Sequence, residues 1–184
     1  MIAIVKGYRC ILAVNEKTSM EKRNLLRALG AEVIVCPTNV PPEDPRSYYS
    51  RARDLSEKIP NSFYVNQYFN DSNIEAHYAT TGPEIWEQTD GKIDGLTCAC
   101  GSGGTLAGVA QVLQPKGVKV GLTDPDGSGL FKLYTEQDPP AGNSISEGIG
   151  QGRITENLKG FTPDFCYKVP DSEALPIIFD LLAD

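Results

Sequence analysis

The sequence has few of the features that mark several common classes of protein. It holds one histidine and one tryptophan in 184 residues, and 17 Lys and Arg against 24 Asp and Glu give a formal net charge of −7. The densest basic stretch, residues 46–53, contains only three arginines. An acidic chain without a basic cluster is poorly suited to nucleic acid. No apolar run approaches the ~20 residues that cross a bilayer, so we expect neither a nucleic-acid nor a membrane partner.

The cysteines show neither a disulfide framework nor a metal-binding spacing. There are five, an odd number, and Cys98 and Cys100 are two apart, which in a strand places both on one face. That spacing differs from the CxxC of redox and zinc sites. The single histidine, His77, has no nearby thiols in sequence, so we expect it to make a structural hydrogen bond rather than bind zinc. Free, buried thiols are typical of a reducing compartment. Since the start of the chain also lacks the pattern of a secretory signal, we expect a cytoplasmic location.

Local patterns predict alternating strands and helices. Strand-like segments occupy residues 9–14, 31–36, 63–65, 93–100 and 118–123, and helical patterns occupy 19–29, 44–59, 73–89, 106–113 and the stretch from 171. Thr18 and Glu21 form a capping box before the first long helix, and Asp44 followed by Pro45 predicts the start of the next. Gly82 and Pro83 should interrupt the helix over 73–89. The alternation predicts an α/β fold, three αβα layers with a mostly parallel sheet.

The chain is predicted to contain parts of two domains. We place a smaller α/β domain at residues 1–64 and a larger one at 65–184. The first eight residues resemble the tail of a helix that enters a strand, and the last ten stop within a helical pattern. A parallel sheet must be covered on both faces, so we expect a fold that is incomplete at both ends.

A glycine-rich loop is the strongest chemical signal in the sequence. It consists of Gly101, Ser102, Gly103, Gly104 and Thr105 and lies between a buried strand and a helix. Free N–H groups at a helix N-terminus and the helix dipole bind phosphate. The pattern is neither a dinucleotide fingerprint nor a P-loop. Because the loop has no lysine and no metal-binding acid, it suggests a cofactor phosphomonoester. The alternative is a tight structural turn.

Two further segments are candidates for ligand contacts. Gly148, Gly150 and Gly152 alternate in a loop where the backbone can approach a ligand or another backbone. The alternative for this loop is an exposed, flexible turn. Gln67 follows a predicted strand, at the end where open α/β sheets bind ligands. Its amide could donate to a substrate carboxylate or simply lie on the surface.

Several runs in the same order resemble one enzyme family. They are residues 18–22 (TSMEK), 26–32 (LRALGAE), 66–87 (NQYFNDSNIEAHYATTGPEIWE) and 101–108 (GSGGTLAG). Together they are similar to the cysteine synthase/cystathionine β-synthase family, pyridoxal-phosphate enzymes of fold type II with the tryptophan-synthase-β fold. The resemblance extends over essentially the whole chain. The runs GPEIWEQTDGKID and SEGIGQGRI are more similar to O-acetylserine sulfhydrylases, which are cysteine synthases, than to cystathionine synthases.

The resemblance implies roles for particular residues. Residues 101–105 match the loop that holds the phosphate of pyridoxal 5′-phosphate, with Ser102 in place of the usual threonine. Gln67 matches the glutamine that contacts the carboxylate of the amino-acid substrate, and Gly148 matches a glycine of the loop beside the active-site cleft. In this family, acetate leaves from O-acetylserine and sulfide adds to give cysteine. Such enzymes are usually homodimers.

The family's Schiff-base lysine lies in a segment similar to SVKDR, and none of the ten lysines of this sequence has those surroundings. We therefore assign no catalytic residue and expect a piece that resembles the middle of the enzyme and is inactive by itself. One alternative is a fragment of a cystathionine β-synthase, with homocysteine in place of sulfide. Another is a non-catalytic protein or pseudogene product that binds a phosphorylated ligand. A nicotinamide-binding domain fits less well, because the acidic ribose partner is missing.

Overall fold

The computed structural model describes residues 1–137 and 144–183. The chain divides into two compact units, of which the first ends at Val65 and the second begins at Asn66. Every strand pair found among the described residues is parallel. The predicted α/β fold with parallel strands is confirmed.

The first unit has a two-stranded sheet. Its elements are α1 (Ile2–Val5), β1 (Ile11–Asn15), α2 (Met20–Ala28), β2 (Glu32–Cys36) and α3 (Tyr48–Lys58). Strand β1 pairs with β2, and Ile11 lies opposite Glu32. Helix α2 packs on β2 and α3 on β1. The short helix α1 before β1 agrees with the pattern of the first eight residues.

Helix α2 begins one residue later than its capping box predicts. Ser19 is the cap, and its side chain accepts a hydrogen bond from the backbone N–H of Lys22 at 3.3 Å. The Thr18 N–H instead donates to Asn15 Oδ1 at 3.0 Å. Thr18 is therefore held by the turn that follows β1, because the Asn15 side chain competes for it.

Helix α3 begins at Tyr48 and not near Asp44, so this prediction was wrong. The Asp44 carboxylate accepts hydrogen bonds from both the backbone N–H and the guanidinium of Arg46, at 2.8–3.0 Å. These bonds hold a turn, and the cap is Ser47, whose side chain accepts from the Ser50 N–H at 3.1 Å. Asp44 and Ser47 have equal capping ability, and the local ion pair decides between them.

The predicted strand at residues 63–65 is also wrong. The segment belongs to neither of the two sheets found among the described residues. Phe63 is 82% exposed and Val65 is 61% exposed. A β-prone segment forms a strand only where a neighbouring strand and a buried face are available to it.

The second unit contains a three-stranded sheet in the order β3-β4-β5. Its elements are α4 (Asp71–Ala79), α5 (Thr81–Gln88), β3 (Gly95–Ala99), α6 (Gly104–Leu113), β4 (Lys119–Pro125), α7 (Leu130–Thr135), β5 (Phe165–Val169) and α8 (Asp171–Ala183). Strand β4 is central, with Gly121 opposite Phe165. A side chain at Gly121 would overlap the Phe165 ring. The sequence patterns had not indicated α7 or β5.

The predicted helix over residues 73–89 is two helices, α4 and α5, that break at Thr80 (φ −124°, ψ −73°). Pro83 lies in the first turn of α5, where a missing N–H costs nothing. A Cβ at Gly82 would lie 2.7 Å from Val112 Cγ2 on α6. Gly82 therefore allows α5 to pack closely on α6, and the interruption predicted at Gly82 and Pro83 is found, with the break at Thr80.

The core of the second unit surrounds helix α6, which is apolar on nearly all sides and packs against α4, α5 and β4. The largest fully buried apolar side chains are Leu106, Leu113, Leu122, Leu130, Leu158, Val109 and Val120. A helix that is hydrophobic on all sides is a buried helix. The N-terminus of α6 is therefore held in a defined position.

Among the described residues, no helix combines the length and apolar character needed to cross a bilayer.

All five cysteines are free thiols, but the predicted burial holds for only two of them. Cys36 and Cys100 are buried, whereas Cys10, Cys98 and Cys166 are half-buried. Burial, with smaller contributions from Cys98 and Asp124, raises the pKa of the Cys100 thiol to about 12. A thiol with such a pKa stays protonated at neutral pH and is a poor nucleophile.

We predict that Asp164→Asn destabilises the protein at neutral pH and does so less in acid. The Asp164 carboxylate accepts hydrogen bonds from the Val120 N–H, Gln114 Nε2 and Lys119 Nζ, at 2.9–3.0 Å. These bonds lower the pKa of Asp164 from 3.8 to about 2. A lowered folded-state pKa adds stability above pH ~4 that is lost as the pH falls through about 2. Urea unfolding at pH 7, 4 and 2.5 measures this effect. The difference in urea midpoint between variant and wild type should become smaller as the pH falls.

The exposed Asp180 on α8 provides the matched control. Asp180→Asn should leave the urea midpoint unchanged at all three pH values, because surface substitutions away from bonded groups have small effects. If the difference in urea midpoint between Asp164→Asn and wild type stayed constant from pH 7 to 2.5, the lowered pKa of Asp164 would not contribute to stability as predicted.

Candidate functional site

The glycine-rich loop connects β3 to α6. Gly103 is the N-cap of α6, with a left-handed backbone (φ +92°) and no side chain to bond the first turn. No hydrogen bond found among the described residues is donated by a backbone N–H of residues 101–105. The first N–H groups of a helix have no acceptor within the helix, and with the helix dipole they attract an anion. The loop thus offers several backbone donors to a phosphate.

The three glycines of this loop allow other segments to approach it. A side chain at Gly101 would overlap the carbonyl oxygen of Gly148, and one at Gly104 would overlap the side chain of Asn73. At Gly103, a Cβ would lie 2.5 Å from Leu158 Cγ. These close contacts explain why the loop needs glycines, as the alternative of a tight structural turn predicts. It is compatible with phosphate binding, since the N–H groups remain available.

Ser102 is fixed by side chains from two other segments. Its Oγ accepts a hydrogen bond from Asn73 Nδ2 at 3.1 Å. Its carbonyl oxygen accepts from Thr155 Oγ1 at 2.7 Å and from Asn157 Nδ2 at 3.1 Å. A hydroxyl that accepts one hydrogen bond keeps its own hydrogen for donation. The Ser102 hydroxyl can therefore serve as a further donor beside the loop.

Gln67 is tied to the same loop through its backbone. Its carbonyl oxygen accepts from Asn73 Nδ2 at 2.9 Å and from Asn157 Nδ2 at 2.8 Å, and the preceding Asn66 is in the left-handed region (φ +48°). The Gln67 residue is exposed. The structure thus brings Gln67 and Ser102 together through two amide side chains.

The role of Asn73 and Asn157 was missed at the level of sequence. The predicted helix begins at Asn73, whereas Asn70 caps α4 three residues earlier. Asn157 lies in a 3₁₀ turn, Glu156–Leu158, and is only 1% exposed. An asparagine in a turn is common, and only its burial between two carbonyl groups reveals its function.

The second glycine loop lies against the first. The Gly150 N–H donates to the Cys100 carbonyl at 2.7 Å, and Gly148 approaches Gly101 as described above. Gln151 is held by Ser128, whose Oγ accepts from the Gln151 N–H at 2.9 Å. The alternative of a flexible turn is therefore not supported, and Gly148 lies next to the candidate phosphate loop.

Thr105 connects the loop to His77. Thr105 Oγ1 lies 3.0 Å from His77 Nε2, and His77 Nδ1 lies 2.9 Å from Thr81 Oγ1. The structural hydrogen bond expected for His77 is confirmed. In the part of the chain that the structure describes, no cluster of His, Cys, Asp or Glu could hold a metal ion.

A strand, a glycine loop and a helix N-terminus with available donors form an arrangement with which α/β proteins commonly bind phosphate. The chain belongs to the pyridoxal-phosphate dependent enzyme family, whose model matches residues 1–182. The family resemblance and the cofactor class inferred from the motifs are confirmed.

Individual relatives support this assignment. Cysteine synthase 1 of Neurospora crassa is 46% identical over 160 residues, which are 84% of this chain and 42% of the relative. Cystathionine beta-synthase of Oryctolagus cuniculus is 41% identical over 185 residues, 100% of this chain and 34% of the relative. The crystal structure of O-acetylserine dependent cystathionine beta-synthase from Helicobacter pylori superposes with a TM-score of 0.83 at 31% identity, covering 95% of this chain and 55% of that chain. The chain thus spans between a third and about half of these relatives.

We predict that Asn157→Asp loosens both the Gln67 segment and the phosphate loop. The substitution is nearly isosteric, but it replaces the donor with an acceptor that faces the carbonyl oxygens of Gln67 and Ser102. Each carbonyl keeps one other donor, Asn73 or Thr155, but loses a hydrogen bond and faces a buried carboxylate, so the free energy of unfolding should fall by about 2–4 kcal/mol. Amide hydrogen exchange should become faster at residues 66–69 and 101–105.

The exposed Asn24 of α2 provides the control, since Asn24→Asp should change the unfolding free energy by less than about 0.5 kcal/mol. If Asn157→Asp had wild-type stability, or if exchange rose equally throughout the chain, the proposed link between the two segments would be wrong.

Proposed function

We propose that residues 101–105 bind the phosphate of pyridoxal 5′-phosphate. The observation that carries the proposal is the set of backbone N–H groups without acceptors at the N-terminus of a buried helix, in a chain of a pyridoxal-phosphate dependent family. The loop is neutral, and its donors fit a phosphomonoester that needs no metal ion. Membership of the family favours this cofactor over other phosphate esters.

Each part of the loop has a role in this proposal. The N–H groups of Gly103, Gly104 and Thr105 donate to phosphate oxygens, and the Ser102 hydroxyl adds a donor. The dipole of α6 stabilises the negative charge. The amide groups of Asn73 and Asn157 hold the loop, so little reorganisation is needed when the phosphate binds. When bound, the cofactor supplies an electron sink for chemistry at the amino-acid substrate.

We further propose that the complete protein is a cysteine synthase. Gln67 would donate its amide to the carboxylate of an O-acetylserine-like substrate, and Gly148 would border the cleft. Sulfide would then replace the acetoxy group, which leaves as acetate, to give cysteine. The names of the Neurospora relative, a cysteine synthase, and of the Helicobacter structure, which is O-acetylserine dependent, support this substrate class.

Two alternatives share the same site. A cystathionine β-synthase would use homocysteine in place of sulfide, and relatives of that name reach 41% identity. A non-catalytic protein would bind the phosphorylated ligand without chemistry. The ten lysines lack the sequence context of the family's cofactor-bonding lysine, so we assign no catalytic residue and propose that this chain alone does not carry out the replacement.

A homodimer is proposed as the assembly of the full-length protein. Helix α8 carries large apolar side chains that are 51–78% exposed, namely Ile177, Ile178, Phe179, Leu181 and Leu182. Exposed apolar surface of this kind is typical of an interaction site. A cytoplasmic location likewise stays a prediction.

We predict that Ser102→Ala weakens binding of pyridoxal 5′-phosphate by about tenfold and that Ser102→Thr does not. A hydrogen bond to a charged group contributes about 1.5–3 kcal/mol, and tenfold in affinity is about 1.4 kcal/mol. Equilibrium dialysis with pyridoxal 5′-phosphate measures the affinity, and pyridoxal, which lacks the phosphate, is the control ligand. Both variants should bind pyridoxal like the wild type. A wild-type chain that bound pyridoxal and its phosphate equally well would contradict the proposed phosphate site.

The absence of a cofactor-bonding lysine is tested separately by borohydride reduction. We expect the chain incubated with pyridoxal 5′-phosphate and then borohydride to show only partial labelling spread over several of its ten lysines, because none of them is placed in the family's motif. Peptide mass spectrometry would detect attachment. Stoichiometric labelling of a single lysine would overturn this expectation and would identify that lysine as the catalytic candidate.

A further inference from the structure

We propose that His77 is a positioning residue that holds the Thr105 hydroxyl in the orientation that donates to the cofactor phosphate. The inference rests on the proposed function of residues 101–105 and adds a residue outside that loop. His77 does not itself reach the ligand in this proposal. It acts through Thr105 and is in turn supported by Thr81.

The argument begins with the two nitrogen atoms of the imidazole. Nε2 lies 3.0 Å from Thr105 Oγ1, and Nδ1 lies 2.9 Å from Thr81 Oγ1. A neutral imidazole carries one N–H donor and one acceptor nitrogen. If Nε2 accepts, the Thr105 hydroxyl donates its hydrogen to His77 and cannot donate it to a phosphate. If Nε2–H donates, the Thr105 hydroxyl keeps its hydrogen for the ligand.

The ligand determines which arrangement forms. A phosphate dianion only accepts hydrogen bonds, so Thr105 must donate to it and must accept from Nε2–H. Nδ1 is then the acceptor nitrogen, and the Thr81 hydroxyl donates to it. Phosphate binding thus orients one chain of donors that runs from Thr81 through His77 to Thr105, and such chains strengthen each bond in them.

Close helix packing keeps the chain of hydrogen bonds in place. A Cβ at Gly108 on α6 would lie 2.6 Å from the Ile74 carbonyl and 2.8 Å from His77 Cβ. Helix α4 can therefore approach α6 only because residue 108 is glycine. The imidazole spans from this contact to Thr105, about one turn earlier on α6, and to Thr81 at the start of α5. Three helices that share one core hold the three side chains.

The test compares the affinity for pyridoxal 5′-phosphate and for pyridoxal in matched variants. In His77→Asn the side chain is too short to reach Thr105, and we expect a five- to tenfold loss of affinity for the phosphorylated form alone. In His77→Gln the amide NH₂ extends to the position of Nε2 and should restore most of the affinity. An equal loss for pyridoxal, or no rescue by glutamine, would overturn the proposal.

A double-mutant cycle shows whether His77 acts through Thr105. Thr105→Val should lower the affinity about tenfold, and adding His77→Asn to it should cause no further loss, because the group that His77 orients is already gone. Losses that multiply would show that the two residues act independently and would overturn the proposal.

If His77→Asn does not fold, as judged by circular dichroism, a second pair of variants provides the same test. Thr81→Val and Thr81→Ser alter the residue at the other end of the hydrogen-bond series. Valine should weaken binding of the phosphorylated form about threefold, and serine should not. A valine variant with wild-type affinity would contradict the proposal.

The same measurements separate this proposal from the proposed phosphate site. A wild-type chain that bound both forms equally would refute the phosphate site itself. A preference for the phosphorylated form that His77→Asn leaves intact would refute only the role of His77.

Discussion

Two asparagine side chains determine the geometry of the candidate site. Asn73 and Asn157 each donate to the Gln67 carbonyl, and the same two amides bond the Oγ and the carbonyl of Ser102. Three of these four bonds are partly buried, and each amide bonds both residues, so losing either side chain removes a link between the two segments. The segment that carries the proposed substrate contact and the loop that carries the proposed phosphate contact are therefore held as one piece.

The packing around α6 holds the helix that follows the phosphate loop in place. Leu106 and Leu113 are fully buried on α6, and glycines at residues 82 and 108 let α5 and α4 approach it closely. A buried helix cannot shift without losing these contacts. Its N-terminus, whose first N–H groups have no acceptor among the described residues, is consequently held in place where the phosphate is proposed to bind. The site needs no charged side chain in the loop, which fits the acidic composition of the chain.

The family membership and the geometry support the same class of chemistry from independent directions. The match covers residues 1–182, while the available donors of residues 101–105 follow from the fold alone. The second glycine loop, at Gly148 and Gly150, closes one side of the first through a backbone hydrogen bond to Cys100. In the second unit, three separate segments therefore converge on one small region, as a cofactor site requires.

Local sequence patterns were sufficient for features that depend on local physics. Alternating apolar segments predicted the α/β fold, and glycines after a buried strand predicted the loop at residues 101–105, because backbone freedom and helix N–H groups are local properties. Tertiary structure decided the rest. It placed residues 63–65 outside both sheets and buried Asn157 beside two carbonyl groups distant in sequence. It also set His77 against Thr105, since a hydrogen bond between two helices exists only after their packing brings the side chains together.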